Sequence, residues 1–82
     1  MLKIKEVERT TKFAMVLIDF DWKGEIYTIK RGISLQKLAD MTEDDIKKWA
    51  KEKVTEARDK LAEEATKEKF KNLIGVNLEE EG

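Results

Sequence analysis

The chain has 82 residues, enough for one domain that buries roughly 60% of its unfolded surface and too few for two independent cores. Lys and Arg number 17 against 18 Asp and Glu, so the net charge of −1 provides no global field to draw the chain to nucleic acid or an anionic membrane. The absence of Cys and His removes disulfides, thiolate nucleophiles, sulfur ligands, the usual general base near neutral pH and the commonest metal ligand.

The first residues, Met-Leu-Lys-Ile-Lys-Glu, form no apolar signal core, and the longest apolar run falls far short of a membrane span. The chain therefore reads as soluble and cytoplasmic. Its Lys and Glu content, with a single Gln, fits a thermophile composition, although a Lys-rich genome produces the same bias.

Residues 2 to 8 alternate enough at Leu2, Ile4 and Glu6 to form a first strand, and Lys3 and Lys5 blunt it as a sheet edge. Arg9, Thr10, Thr11 and Lys12 make a polar turn. Residues 13 to 20 are then apolar on both alternating faces, with Phe13, Met15 and Leu17 on one side and Ala14, Val16, Ile18 and Phe20 on the other. Such a strand needs cover twice, which a chain that is 43% charged can scarcely supply. Asp21, Trp22, Lys23 and Gly24 follow as a turn whose Gly suits a bulged hairpin, and residues 25 to 31 return as a third strand ended by Gly32.

Residues 34 to 40 suit a short helix with Leu35, Leu38 and Ala39 on one side. Thr42 then precedes three acids, Glu43, Asp44 and Asp45, as an N-cap does at the positive end of a helix, and Met41 and Ile46 stand at staple positions. With neither Gly nor Pro before Gly75, a helix is predicted from 43 to about 73, closed by an αL cap at Gly75 with Val76 as its apolar contact. The whole predicts an α+β fold: a three-stranded antiparallel meander, a short helix and a long C-terminal amphipathic helix. Residues 1–76 form one domain, and residues 77–82 form an acidic, disordered tail.

At 1.5 Å per residue a helix of that length spans about 46 Å, more than a compact globule of this size. Ile46, Trp49, Ala50, Val54, Ala57, Leu61 and Ala65 share one stripe, whereas Phe70, Leu73 and Ile74 lie about 150° away around the axis. Two arrangements reconcile these facts. Either the helix breaks near 66–69 and folds its last turn onto the body, or the terminal patch packs against another chain.

Chemistry-bearing groups are sparse. Asp19, Asp21 and Glu25 surround a hairpin, but their spacing matches no calcium loop, so no metal is expected. Lys30, Arg31 and Gly32 before Ser34 lack the glycine-rich loop of a phosphate site. Tyr27 and Lys37 are the remaining acid–base groups, and no nucleophile motif surrounds Ser34, so neither enzymatic activity nor a cofactor is expected.

The leading expectation is a small non-enzymatic interaction or regulatory module. It self-associates, as a homodimer, or binds another protein through apolar sheet or helix surface at Phe20, Phe70, Leu73 and Ile74. The alternative is a nucleic-acid-binding module using Trp22, Lys23, Lys30, Arg31 and Lys37 around the second hairpin. A meander followed by a helix occurs in both kinds of protein and does not by itself assign a function.

Overall fold

The computed structural model describes residues 1–77 and residue 79. The fold is α+β. Strands β1 (Leu2–Arg9), β2 (Phe13–Trp22) and β3 (Glu25–Ser34) form an antiparallel sheet in the order β1-β2-β3. Helices α1 (Leu35–Ala39) and α2 (Glu43–Phe70) and a 3-10 turn at Lys71–Leu73 complete the chain. Of the acidic tail expected over 77–82, all but Asn77 and Glu79 lies outside the described residues.

Two departures from strict alternation shape the sheet. The expected bulge at the β2–β3 turn is absent: Trp22 pairs with Glu25 across a two-residue loop in which Lys23 has φ 49° and Gly24 φ 82°. Positive φ at both positions matches the loop to the right-handed strand twist. The irregularity lies in β1 instead, between Ile4 and Glu6, where Lys5 is the extra residue. That insertion shifts the phase of the strand, so Leu2, Ile4 and Val7 all oppose residues on the same face of β2. Strand β3 also runs past Gly32 to Ser34. Gly32 pairs with Met15, whose Sδ would stand 3.1 Å from an added Cβ, so a neighbouring side chain fills the space that glycine leaves.

The even-numbered set of β2 forms the core. Ala14, Val16, Ile18 and Phe20 are buried together with Ile33 of β3 and with Trp49, Ala50, Val54 and Ala57 of α2. Helix α2 begins where its caps require it. Thr42 Oγ1 accepts from the Asp45 amide at 3.2 Å, and an Asp45 carboxylate oxygen accepts from the Thr42 amide at 3.0 Å. Met41 and Ile46 are both half-buried. Further along, Arg58 donates to the Asp21 carbonyl and carboxylate at 3.0–3.2 Å and lies over the Phe20 ring, pinning the helix to the hairpin end of β2.

Among the described residues no helix lies over the opposite sheet face. Phe13 is exposed, while Met15 and Leu17 are half-buried. Lys30 of β3 reaches Glu8 of β1 at 3.3 Å, and these residues oppose Leu17 and Met15 respectively in the sheet. The aliphatic stems of such charged side chains shield apolar neighbours while their heads stay in water.

No break interrupts α2 at 66–69. The helix continues to Phe70, with Thr66 Oγ1 donating to the Ala62 carbonyl at 2.9 Å, then tightens into the 3-10 turn at Lys71–Leu73 before Gly75, φ 80°. Its last core neighbour is Leu61, which is half-buried, so about 14 Å of helix projects beyond the sheet. The molecule measures 61 × 24 × 19 Å with a radius of gyration of 18.4 Å, against about 12 Å for a compact chain of this length. Its accessible surface of 6755 Å² exceeds the about 5,100 Å² of a compact 9.6 kDa monomer by roughly 1,700 Å².

Candidate protein interface

The projecting end of α2 and the residues just beyond it carry exposed apolar side chains. Phe70 is 58% exposed, Leu73 46%, Ile74 79% and Val76 51%. Phe70 ends the α-helix, Leu73 lies in the 3-10 turn and Ile74 follows it with extended backbone, and past Gly75 the Val76 amide donates to the Leu73 carbonyl at 3.1 Å. The helix surface before this patch is highly charged, with pairs such as Glu63–Lys67 at 3.6 Å.

A second apolar surface lies at the other end of the helix. The first turns of α2 lie near β1, whereas Ala57 and Leu61 lie against Tyr27 and Ile29 of β3, so the helix crosses the sheet diagonally. The crossing leaves the helix-side face of β1 uncovered, and Leu2, Ile4 and Val7 stay 37%, 40% and 55% exposed. A trough results between β1 and α2. One part, about 120 Å³, is floored by Val16 and Ile33 and walled by Ile4, Val7, Ile46 and Trp49. An adjoining part, about 360 Å³, lies between Leu2, Ile4 and Ala50, with Lys47 and Lys51 on its rim.

The residues singled out from sequence fall in different places. Phe20 is buried, 1% exposed, and stacks on Tyr27 at 5.8 Å, so its ring belongs to the core and not to a free surface. Strand alternation put it on an apolar face, but only the path of α2 decides which of the two faces is covered. Phe70, Leu73 and Ile74 are exposed together. The basic set does not converge. Lys23 lies over the Trp22 ring at 4.7 Å, and Trp22 meets Tyr27 edge-on. Lys30 and Arg31, adjacent in β3, point to opposite faces, and Lys37 lies on α1 beyond the far end of β3. The trough residues Val7 and Ile4 were not legible as a surface, because the bulge at Lys5 has no sequence signal beyond Val7 falling out of phase.

Several polar groups near the hairpin and α1 have local partners. Asp19 accepts from Thr28 Oγ1 at 2.6 Å, and Ser34 caps α1 by accepting from the Lys37 amide at 3.1 Å. Tyr27 donates to Glu25 at 3.0 Å, and that bond, with partial burial, raises the phenol above its usual range. The Asp21 carboxyl is held low, first by the Met1 ammonium at 2.6 Å, then by backbone hydrogen bonding and Arg58. Among the described residues no three His, Cys, Asp or Glu side chains gather to hold a metal ion, and no helix is long and apolar enough to cross a membrane. In comparisons with known proteins, the chain matches no family model, no curated protein and no solved structure.

Proposed function

We propose that this chain is a small non-enzymatic protein-interaction or regulatory module that self-associates through its C-terminal helix surface. The observation that carries this reading is the apolar patch at Phe70, Leu73 and Ile74, held off the body by an unbroken helix. A monomer that left this patch in water would forgo its burial, and patches of this kind on small soluble chains mark association sites. A cytoplasmic setting belongs to the same proposal, supported by a sequence without Cys. Light scattering on chromatographed protein, from low to high micromolar concentration, tests it. A mass above one 9.6 kDa chain that falls on Ile74→Asp is expected. A single-chain mass at every concentration overturns self-association.

A further inference from the structure

We infer that the outer edge of β1 is a second association surface, on which β1 of another copy pairs antiparallel about a two-fold axis between Lys5 and Glu6. Among the described residues β1 has a strand on one side alone, β2, and its helix-side residues Leu2, Ile4 and Val7 are uncovered. Such an edge offers a row of backbone donors and acceptors to another strand. The Met1 carbonyl accepts from the Asp21 amide at 3.3 Å, so Met1 and Lys3 direct their backbone groups to β2 while Leu2 and Ile4 direct theirs outward. The extra residue at Lys5 resets the alternation, and beyond it Val7 and Arg9 are the outward residues.

The charges of β1 select the partner. They run Lys3, Lys5, Glu6, Glu8, two bases followed by two acids. Among the described residues Glu8 pairs with Lys30, and Lys3, Lys5 and Glu6 have no ionic partner. An antiparallel copy centred between Lys5 and Glu6 sets Lys3 opposite Glu8, Lys5 opposite Glu6, Ile4 opposite Val7 and Leu2 opposite Arg9. Opposite charges and apolar pairs at such positions stabilise a sheet. Leu2, Ile4, Val7 and Arg9 oppose the buried set of β2, and Lys3, Glu6 and Glu8 oppose its other set, so the faces agree as well. A shift of one residue either way sets Lys5 or Glu6 opposite itself and Ile4 opposite an acid, and a parallel copy in register stacks like charges.

The bulge narrows the choice further. A regular strand loses register on crossing it, whereas a second β1 carries the same extra residue beside the axis. Lys3, Lys5 and the bulge thus guard the edge against unrelated strands and admit its own copy. The axis stands perpendicular to the sheet, so both α2 helices lie on one face, with Leu2, Ile4 and Val7 of the two chains between them. Helix α2 runs from β1 toward β3 and leaves the sheet past Leu61, so the C-terminal patch lies away from this edge and both surfaces can be used at once.

A charge exchange tests the pairing, in chains that also carry Ile74→Asp so that the helix patch does not contribute. Lys3→Glu with Lys5→Glu makes these positions of β1 wholly acidic, and Glu6→Lys with Glu8→Lys makes them wholly basic. Light scattering at low salt should give a mass of two chains for Ile74→Asp alone, and each exchanged form should pair about tenfold or more weakly. An equal mixture of the two forms should restore the two-chain species, with circular dichroism confirming that each is folded. Register is read separately. The chain has no Cys, so Ile4→Cys mixed with Val7→Cys under mild oxidation should link faster than either variant alone. A single-chain mass for Ile74→Asp overturns this inference and leaves association through the helix patch standing, whereas a single-chain mass for the parent as well overturns both. Two-chain masses that survive in both exchanged forms, or a mixture that fails to restore them, overturn the paired edge, and a mixed crosslink no faster than the single ones overturns the register.

Discussion

Replacing Phe70 by Ala separates a helix that projects from one that folds back. A buried Phe truncated to Ala costs about 3–5 kcal/mol, out of the about 4–12 kcal/mol that a chain of this length has in total. Phe70 is 58% exposed and lies beyond the last core contact of α2, so its truncation should change the stability of the single chain by no more than about 0.5 kcal/mol. Val54→Ala provides the scale. Val54 is 0% exposed, its truncation removes two methyl groups worth about 0.8 kcal/mol each, and Ala returns about 0.5 kcal/mol of helix propensity. With the cavity term a net loss of about 1–2 kcal/mol follows, or roughly 4–16 °C in Tm. Urea unfolding followed by fluorescence of Trp22 and Trp49 reads both variants at the lowest workable concentration, where association is negligible. A loss of about 2 kcal/mol or more for Phe70→Ala under those conditions would refute the projecting helix and place the tail on its own sheet.

Thr42→Ala removes one half of the capping box and should cost about 1 kcal/mol, read as a lower urea midpoint with an unchanged slope. The Asp45 carboxyl is held below its ordinary value, chiefly by the Thr42 amide, then by the Thr42 hydroxyl and by Lys48. A carboxyl depressed in the folded state contributes stability that is complete above its unfolded value near 4 and is lost as pH falls through the folded one. Thermal melts between pH 7 and pH 2 should therefore show a shallower acid loss for Asp45→Asn than for the parent chain, and parallel curves would count against the box. Gly24→Ala should destabilise by about 1 kcal/mol, because φ 82° strains any side chain there although nothing lies within 4 Å. Gly32→Ala, without positive φ and facing only the flexible end of Met15, should be tolerated within about 0.5 kcal/mol in the same melts.

The sequence by itself determined the elements and their order. The apolar run in residues 13 to 20, a turn ending at Gly24, the Thr42 cap and a run without Gly or Pro up to Gly75 are local signals, set by backbone sterics and by hydrogen bonds between near neighbours, although the turn read as Asp21 to Gly24 is only Lys23 and Gly24 in the structure. The same local grammar placed Trp49, Ala50, Val54 and Ala57 on one stripe, and they are the residues of α2 that the sheet buries. It could not determine where that stripe lies on the sheet. The diagonal path of α2 depends on how side chains from four elements interlock, and it alone makes Phe20 core and leaves Leu2, Ile4 and Val7 uncovered. The bulge at Lys5 is likewise a property of pairing with β2, since one inserted residue changes face only relative to a partner strand. The continuity of α2 through 66–69 was undecided for a similar reason. Either course satisfies the backbone, and in the structure the helix continues to Phe70, which stays 58% exposed.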